Sequence, residues 1–123
     1  AAQNLKAELL NDLQANGTNE FNFLAKKVNL SSAAQLKNIC FELKNQVENL
    51  FLVLAANISG KPQIAVMISD TLVKNKDLNA GKIVRELAKE IKGGGGGQAF
   101  FATAGGKDIT GLDNAVAKAK ELV

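Results

Sequence analysis

The sequence predicts an α/β fold of the α+β kind: a mixed four- to five-stranded sheet covered by helices, with a short N-terminal helix. Three observations predict it. Segments with apolar residues at helical spacing alternate with short, compact apolar runs. Two of those runs, 50–58 and 63–69, are apolar on both faces, as central strands are. The 123 residues are 46% hydrophobic and 22% charged, which suits one domain burying roughly two-thirds of its surface.

Residues Ala2 to Gln14 open the chain as a helix. Leu5, Leu9 and Leu13 fall at i, i+4 and i+8, with Leu10 beside them. So short and narrow a stripe must pack on something. The rest of the domain, a missing upstream region or a second copy would serve; in the last case Leu5, Leu9 and Leu13 are the oligomerisation residues of a homodimer through this helix. Gly17-Thr18-Asn19 ends the segment. Phe21 to Val28 alternates as a strand does. Ser32-Ala33-Ala34-Gln35 matches a capping box. It opens a helix whose inner stripe is Leu36, Ile39, Cys40, Leu43, Val47 and Leu50. Cys40 on that stripe reads as a small buried thiol.

The two central runs are joined by Ser59-Gly60-Lys61-Pro62, which is turn chemistry, so they form a hairpin. Asp70 ends the second run as a turn residue. Asn79 to Ile91 is the next helix, capped by Asn79 or Asp77, with Ile83, Val84, Leu87, Ala88 and Ile91 inward. Gly93 stands where a helix takes its left-handed stop. The tract Gly93 to Gly97 reads as a loop between packed elements. Ala99 to Ala104 is a short strand in which Phe100 and Phe101 face opposite ways, one into the core and the other packed under a helix or placed to stack on a base. Gly105-Gly106 turns the chain. Asp108 or Thr110 caps a last helix with Leu112, Val116, Ala119 and Val123 inward.

Absences exclude several chemistries. With no His there is no Ser-His-Asp triad, Cys-His pair or imidazole metal ligand. One Cys forms no internal disulfide and no thiolate zinc site, and it fits a reducing, cytoplasmic compartment. No apolar run is long enough to span a membrane, and no secretory leader is recognisable. The Ala-Ala start suggests a processed or excised piece of something longer. Lys107-Asp108 after a glycine pair fails the phosphate-loop spacing, which needs Ser or Thr at 108. No catalytic residue, metal site or cofactor is expected in this fragment.

Charge and glycine are both localised. The formal net charge is +3, yet residues 61–107 carry eight basic groups against four acidic ones. A basic region attracts polyanions. Seven of the 11 glycines lie between Gly93 and Gly106. Bare amides along Gly93, Gly94, Gly95, Gly96 and Gly97 suit phosphate oxygens. Gly105 and Gly106 lead into a helix N-terminus, which also favours anions. Lys82, Arg85 and Lys89 share one helix face, and Arg85, the only Arg, suits bidentate phosphate contact. A solvated helix face explains the same residues.

The run Gly-Gly-Gly-Gly-Gly-Gln-Ala-Phe-Phe-Ala-Thr-Ala-Gly-Gly over 93–106, then Lys107-Asp108 and a helix over 112–122, resembles the C-terminal domain of alanyl-tRNA synthetases. That domain belongs to the DHH-associated family shared with RecJ-type phosphoesterases. Asn79 to Ala88 is similar to its preceding helix. The resemblance implies two segments: residues 1–19 as the end of a helical linker or oligomerisation region, and residues 20–123 as the globular domain. It implies a non-catalytic module that binds alanine-specific tRNA at the elbow and couples aminoacylation to editing. The expected contacts are Gly93–Gly97, Gly105 and Gly106 with Lys82, Arg85 and Lys107. ATP, Mg and an editing-domain Zn would belong to the parent enzyme. Two departures stand out. Gln98-Ala99 replaces a basic residue and a Pro of many synthetase members. The His of RecJ-type relatives is absent. The alternatives are an oligomerisation module and an accessory domain of a DHH phosphoesterase.

Overall fold

The structure, a computed structural model, describes residues 7–12, 22–28 and 30–121. Strand β1 is Asn22–Val28 and helix α1 is Ala33–Gln46. Strands β2 (Leu50–Ile58) and β3 (Lys61–Ile68) follow, then helices α2 (Asp70–Asn75) and α3 (Ala80–Ala88). Strands β4 (Gly94–Gly97) and β5 (Phe101–Gly105) precede helix α4 (Leu112–Glu121). Residues 7–12 are helical. The five strands form one mixed sheet in the order β1-β2-β3-β5-β4. Only β1 and β2 pair in parallel, because α1 carries the chain back between them.

The central runs behave as their two-sided apolarity requires. Leu50, Leu52, Leu54, Ala65 and Met67 bury one sheet face beneath α1. Phe51, Val53, Ile64, Val66 and Ile68 bury the other beneath α3 and α4. Cys40 is fully buried in the first layer. Leu9 is buried there too, inside the chain's own core. Leu5 and Leu13 lie outside the described residues, as do most of the expected first helix, Phe21 and Val123.

Caps settle the element starts. The Ser32 hydroxyl accepts from the Gln35 amide at 3.2 Å, while the Gln35 side chain reaches Ser31 rather than Ser32. Asn79, not Asp77, caps α3 and accepts from the Lys82 amide at 3.1 Å. Asp108 caps a short 3-10 turn, Ile109–Gly111, that runs into α4. Leu50 begins β2 instead of ending the preceding helix, because the chain leaves the helical region at Val47. Helix α2 was not foreseen; Ser69 precedes it as N-cap and Asp70, exposed, is the acidic residue of its first turn.

Three expectations are corrected near the glycines. The expected loop is the edge strand β4, paired antiparallel with β5. A methyl group on Gly93 or Gly95 would collide with the carbonyl oxygen of Gly105 or Thr103, and one on Gly97 would lie 2.6 Å from that of Phe101. Missing side chains are thus what let β4 close onto β5. The left-handed stop falls on Lys92 (φ 53°), one residue before Gly93. The Gly93 amide then bonds the Ala88 carbonyl at 3.0 Å, the long bond of a Schellman motif. Finally, Phe100 and Phe101 pack toward the same layer, that of α1. Strand β5 begins only at Phe101 and the chain bends at Phe100, so strand alternation does not reach back to it.

Candidate nucleic-acid interface

The glycine edge is built by α3 and the β4–β5 hairpin. Helix α3 buries Gly81, Val84, Leu87 and Ala88 and leaves Lys82 and Arg85 exposed. Its first turn presses on the hairpin: a methyl group on Gly81 would lie 3.3 Å from the Gly97 carbonyl oxygen. The Ala80 amide donates to the Ala99 carbonyl at 2.9 Å, and the Gln98 amide to that of Phe101 at 2.9 Å. The tip of the hairpin is therefore tied to the helix start. Strand β4 has β5 on one side only, so alternate amides and carbonyls on its outer edge have no strand partner.

The structure gathers most of the expected residues. The Arg85 guanidinium reaches the face of Gly96, about where a side chain there would begin, 3.7 Å away. Lys82 sits one residue after Gly81, against the Gly97 end of β4. At the other end, Gly93 meets Gly105, and the Lys107 and Asp108 amides both donate to the Ile91 carbonyl, at 2.9 and 3.0 Å. Lys107 is exposed there, with Lys92 beside it in the left-handed stop. Cations thus flank both ends of a side-chain-free strand.

Not every cation is available. Lys89 pairs with Glu86 at 3.3 Å, and Lys118 approaches the same carboxylate at 3.7 Å. Lys82, Arg85 and Lys107 have no acidic partner among the described residues. Glu86, one residue past Arg85, draws off only the outer part of the helix face. Asp108, next to Lys107, is an acidic group of the same region. A hydrogen bond from the Thr110 hydroxyl holds its carboxyl below the ordinary value, and the Lys92 ammonium adds to that. Burial pushes the Cys40 thiol up to about 12, so it is a neutral core group.

The sequence reading singled out Phe100 and Phe101 but missed that α1 residues join them on the far side of the hairpin. Lys44 lies 4.4 Å from the centre of the Phe100 ring, and Lys37 lies 6.0 Å from that of Phe41. Phe41 and Phe101 stand 5.1 Å apart. Lys37, Phe41 and Lys44 recur at i, i+4 and i+7, the signal that would have revealed them as one helix face. Among the described residues no group of three or more His, Cys, Asp or Glu is placed to hold a metal ion. No described helix is long and apolar enough to cross a membrane.

Comparison with known proteins identifies the family and the fold. The model of the DHHA1 domain matches residues 20–123. An alanine–tRNA ligase of Cytophaga hutchinsonii is 54% identical over 104 residues, covering 85% of this chain and 12% of that protein. One of Christiangramia forsetii is 49% identical over 122 residues, covering 99% of the chain and 14% of that protein. The chain therefore spans only a small part of these relatives. Among solved structures, the C-Ala domain of Aquifex aeolicus alanyl-tRNA synthetase superposes with a TM-score of 0.73 at 26% identity. That likeness covers 83% of this chain and 90% of the other.

Proposed function

Because the chain belongs to the DHHA1 domain family, we propose that it is the tRNA-binding C-terminal domain of an alanine–tRNA ligase, without catalytic groups of its own. The observation that carries the reading is Arg85 laid against Gly96 on an exposed glycine edge, with Lys82 and Lys107 unpaired by acids around it. Phosphate oxygens are the groups that such an arrangement receives. The glycines admit a backbone closely, the free edge offers amides, and the guanidinium offers a paired donor set. The relatives are alanine–tRNA ligases, which makes the nucleic acid an alanine-accepting tRNA.

In this reading the domain holds the tRNA elbow and keeps one tRNA within reach of both the aminoacylation and editing sites. ATP, magnesium and an editing-domain zinc act in other parts of the parent enzyme, in the cytoplasm. The test is binding of alanine-accepting tRNA across a salt series. Phosphate contacts release counterions, so affinity should fall steeply with salt. The double change Lys82→Glu and Arg85→Glu should weaken binding at least about tenfold and flatten the salt slope by roughly one to two units. An unchanged slope would move the site off the glycine edge.

A further inference from the structure

We infer that the rim of α1, together with the hairpin turn that meets it, forms a second RNA-contact surface, on which an unpaired nucleobase stacks against phenyl rings while its flanking phosphates meet Lys37 and Lys44. This rests on the RNA-binding reading above and extends it to a different face.

Helix α1 covers β2 and β3 and stops short of the outer strands. Beyond it, on the same side, Thr103 of β5 is exposed and Phe101 is half-buried. Phe41, on α1, and Phe100, in the hairpin turn, are half-buried at that boundary as well. The core of this layer is already filled by Leu36, Ile39, Cys40 and Leu43, so the three rings lie at its rim. Two of them, Phe100 and Phe41, have a lysine ammonium over the ring, 4.4 and 6.0 Å from the centroid, and Phe101 packs against Phe41 with centroids 5.1 Å apart. Ring faces that attract cations also accept the π-face of a base, and lysines beside them supply charge for the strand that carries it.

Charge selects the occupant. Lys37 has no acidic partner among the described residues, and Lys44 has only the exposed Asp70 at 3.9 Å, a loose pair that competes weakly. The surface is therefore apolar at its floor and cationic at its wall, the complement of a single-stranded nucleotide. It also shares the β4–β5 hairpin with the glycine edge, so one RNA chain crossing the hairpin reaches both.

The experiment compares a ten-nucleotide single-stranded RNA with a blunt RNA duplex, both fluorescently labelled, for binding to the 123-residue chain. Phe100→Leu keeps the apolar bulk and removes the ring face. It should weaken single-strand binding about fivefold or more, the low end of base–aromatic stacking, and leave duplex binding within twofold. Lys37→Glu, on an exposed side chain, should weaken both. If Phe100→Leu fails to fold, Lys37→Glu carries the test. Unchanged single-strand binding in folded variants overturns the inference. So does polyglutamate displacing the RNA with the same dependence on Phe100, which would mark a site for acidic peptides. If Lys82→Glu with Arg85→Glu abolishes tRNA binding while both variants here are neutral, this surface fails alone. If the unaltered chain binds no RNA, both readings fall.

Discussion

Replacing Gly95 by Ala would place a methyl group inside contact distance of the Thr103 carbonyl oxygen, where backbone must move. The same change at Gly94 meets open space. Gly95→Ala is therefore expected to destabilise the fold by about 1–3 kcal/mol, as overpacking does. Gly94→Ala should fall within about 0.5 kcal/mol of the parent. Urea midpoints of the two variants check this, and equal values would contradict the pairing of β4 with β5. The contrast explains why the tract was not legible as a strand. Glycine has poor strand propensity and carries no alternation, so five in a row look like a flexible connector. What orders them is the ladder on one side and α3 on the other, and neither is visible along the chain. Cys40 was legible, because the apolar stripe around it is unbroken. Its raised pKa keeps it protonated when folded. Stability tied to it is full below the unfolded thiol value near 9 and is lost as pH rises toward 12. Cys40→Ala should accordingly narrow the stability loss between pH 8 and about 10, measured by urea titration at each pH.

Helix ends carry the next set of consequences. Asn79 caps α3 through the Lys82 amide, so Asn79→Ala should cost roughly 1 kcal/mol and loosen the helix start that holds the hairpin tip. Lys92 ends the helical run in a left-handed conformation that suits glycine better. Lys92→Gly is expected to raise stability by up to about 1 kcal/mol while weakening tRNA binding, since a cation leaves the glycine edge. A variant that gains stability and keeps full affinity would remove Lys92 from the interface. At the last cap, the lowered carboxyl of Asp108 contributes stability above its unfolded value, and this is lost as pH falls through the lower folded value. Asp108→Asn should therefore remove part of the acid sensitivity below pH 4, read from thermal unfolding at pH 3 and pH 6. Both caps could be read from side-chain chemistry. The displaced stop at Lys92 could not, because the Ala88–Gly93 bond that sets it depends on the chain reversing into β4.

Across the whole molecule, periodicity revealed the layers and left the strand order open. The apolar stripe of α1 and the two-sided runs of β2 and β3 placed a buried hairpin at the centre. The insertion of β5 between β3 and β4 leaves no such trace, since β5 is five residues long and β4 has no side chains. The candidate site was legible in the same partial way. Lys82, Arg85 and Lys107 stand out by charge, whereas the ring cluster brings α1 residues to a turn some sixty positions later.

The strand order also sets a mechanical arrangement. The chain enters the sheet at β1, on one edge, and the glycine strand forms the opposite edge. Four ladder spacings of about 4.8 Å separate them, roughly 19 Å. In the proposed reading, a load applied by RNA on β4 and resisted from the chain ahead of β1 runs through the ladders in turn, with α3 packed on β4 as a second hold. The β4–β5 ladder has four residue pairs, against seven to eight in the ladders inside β2. Tension should thus peel β4 away first and leave the central hairpin whole, which in the proposed reading makes the RNA-facing edge the mechanical fuse of the domain.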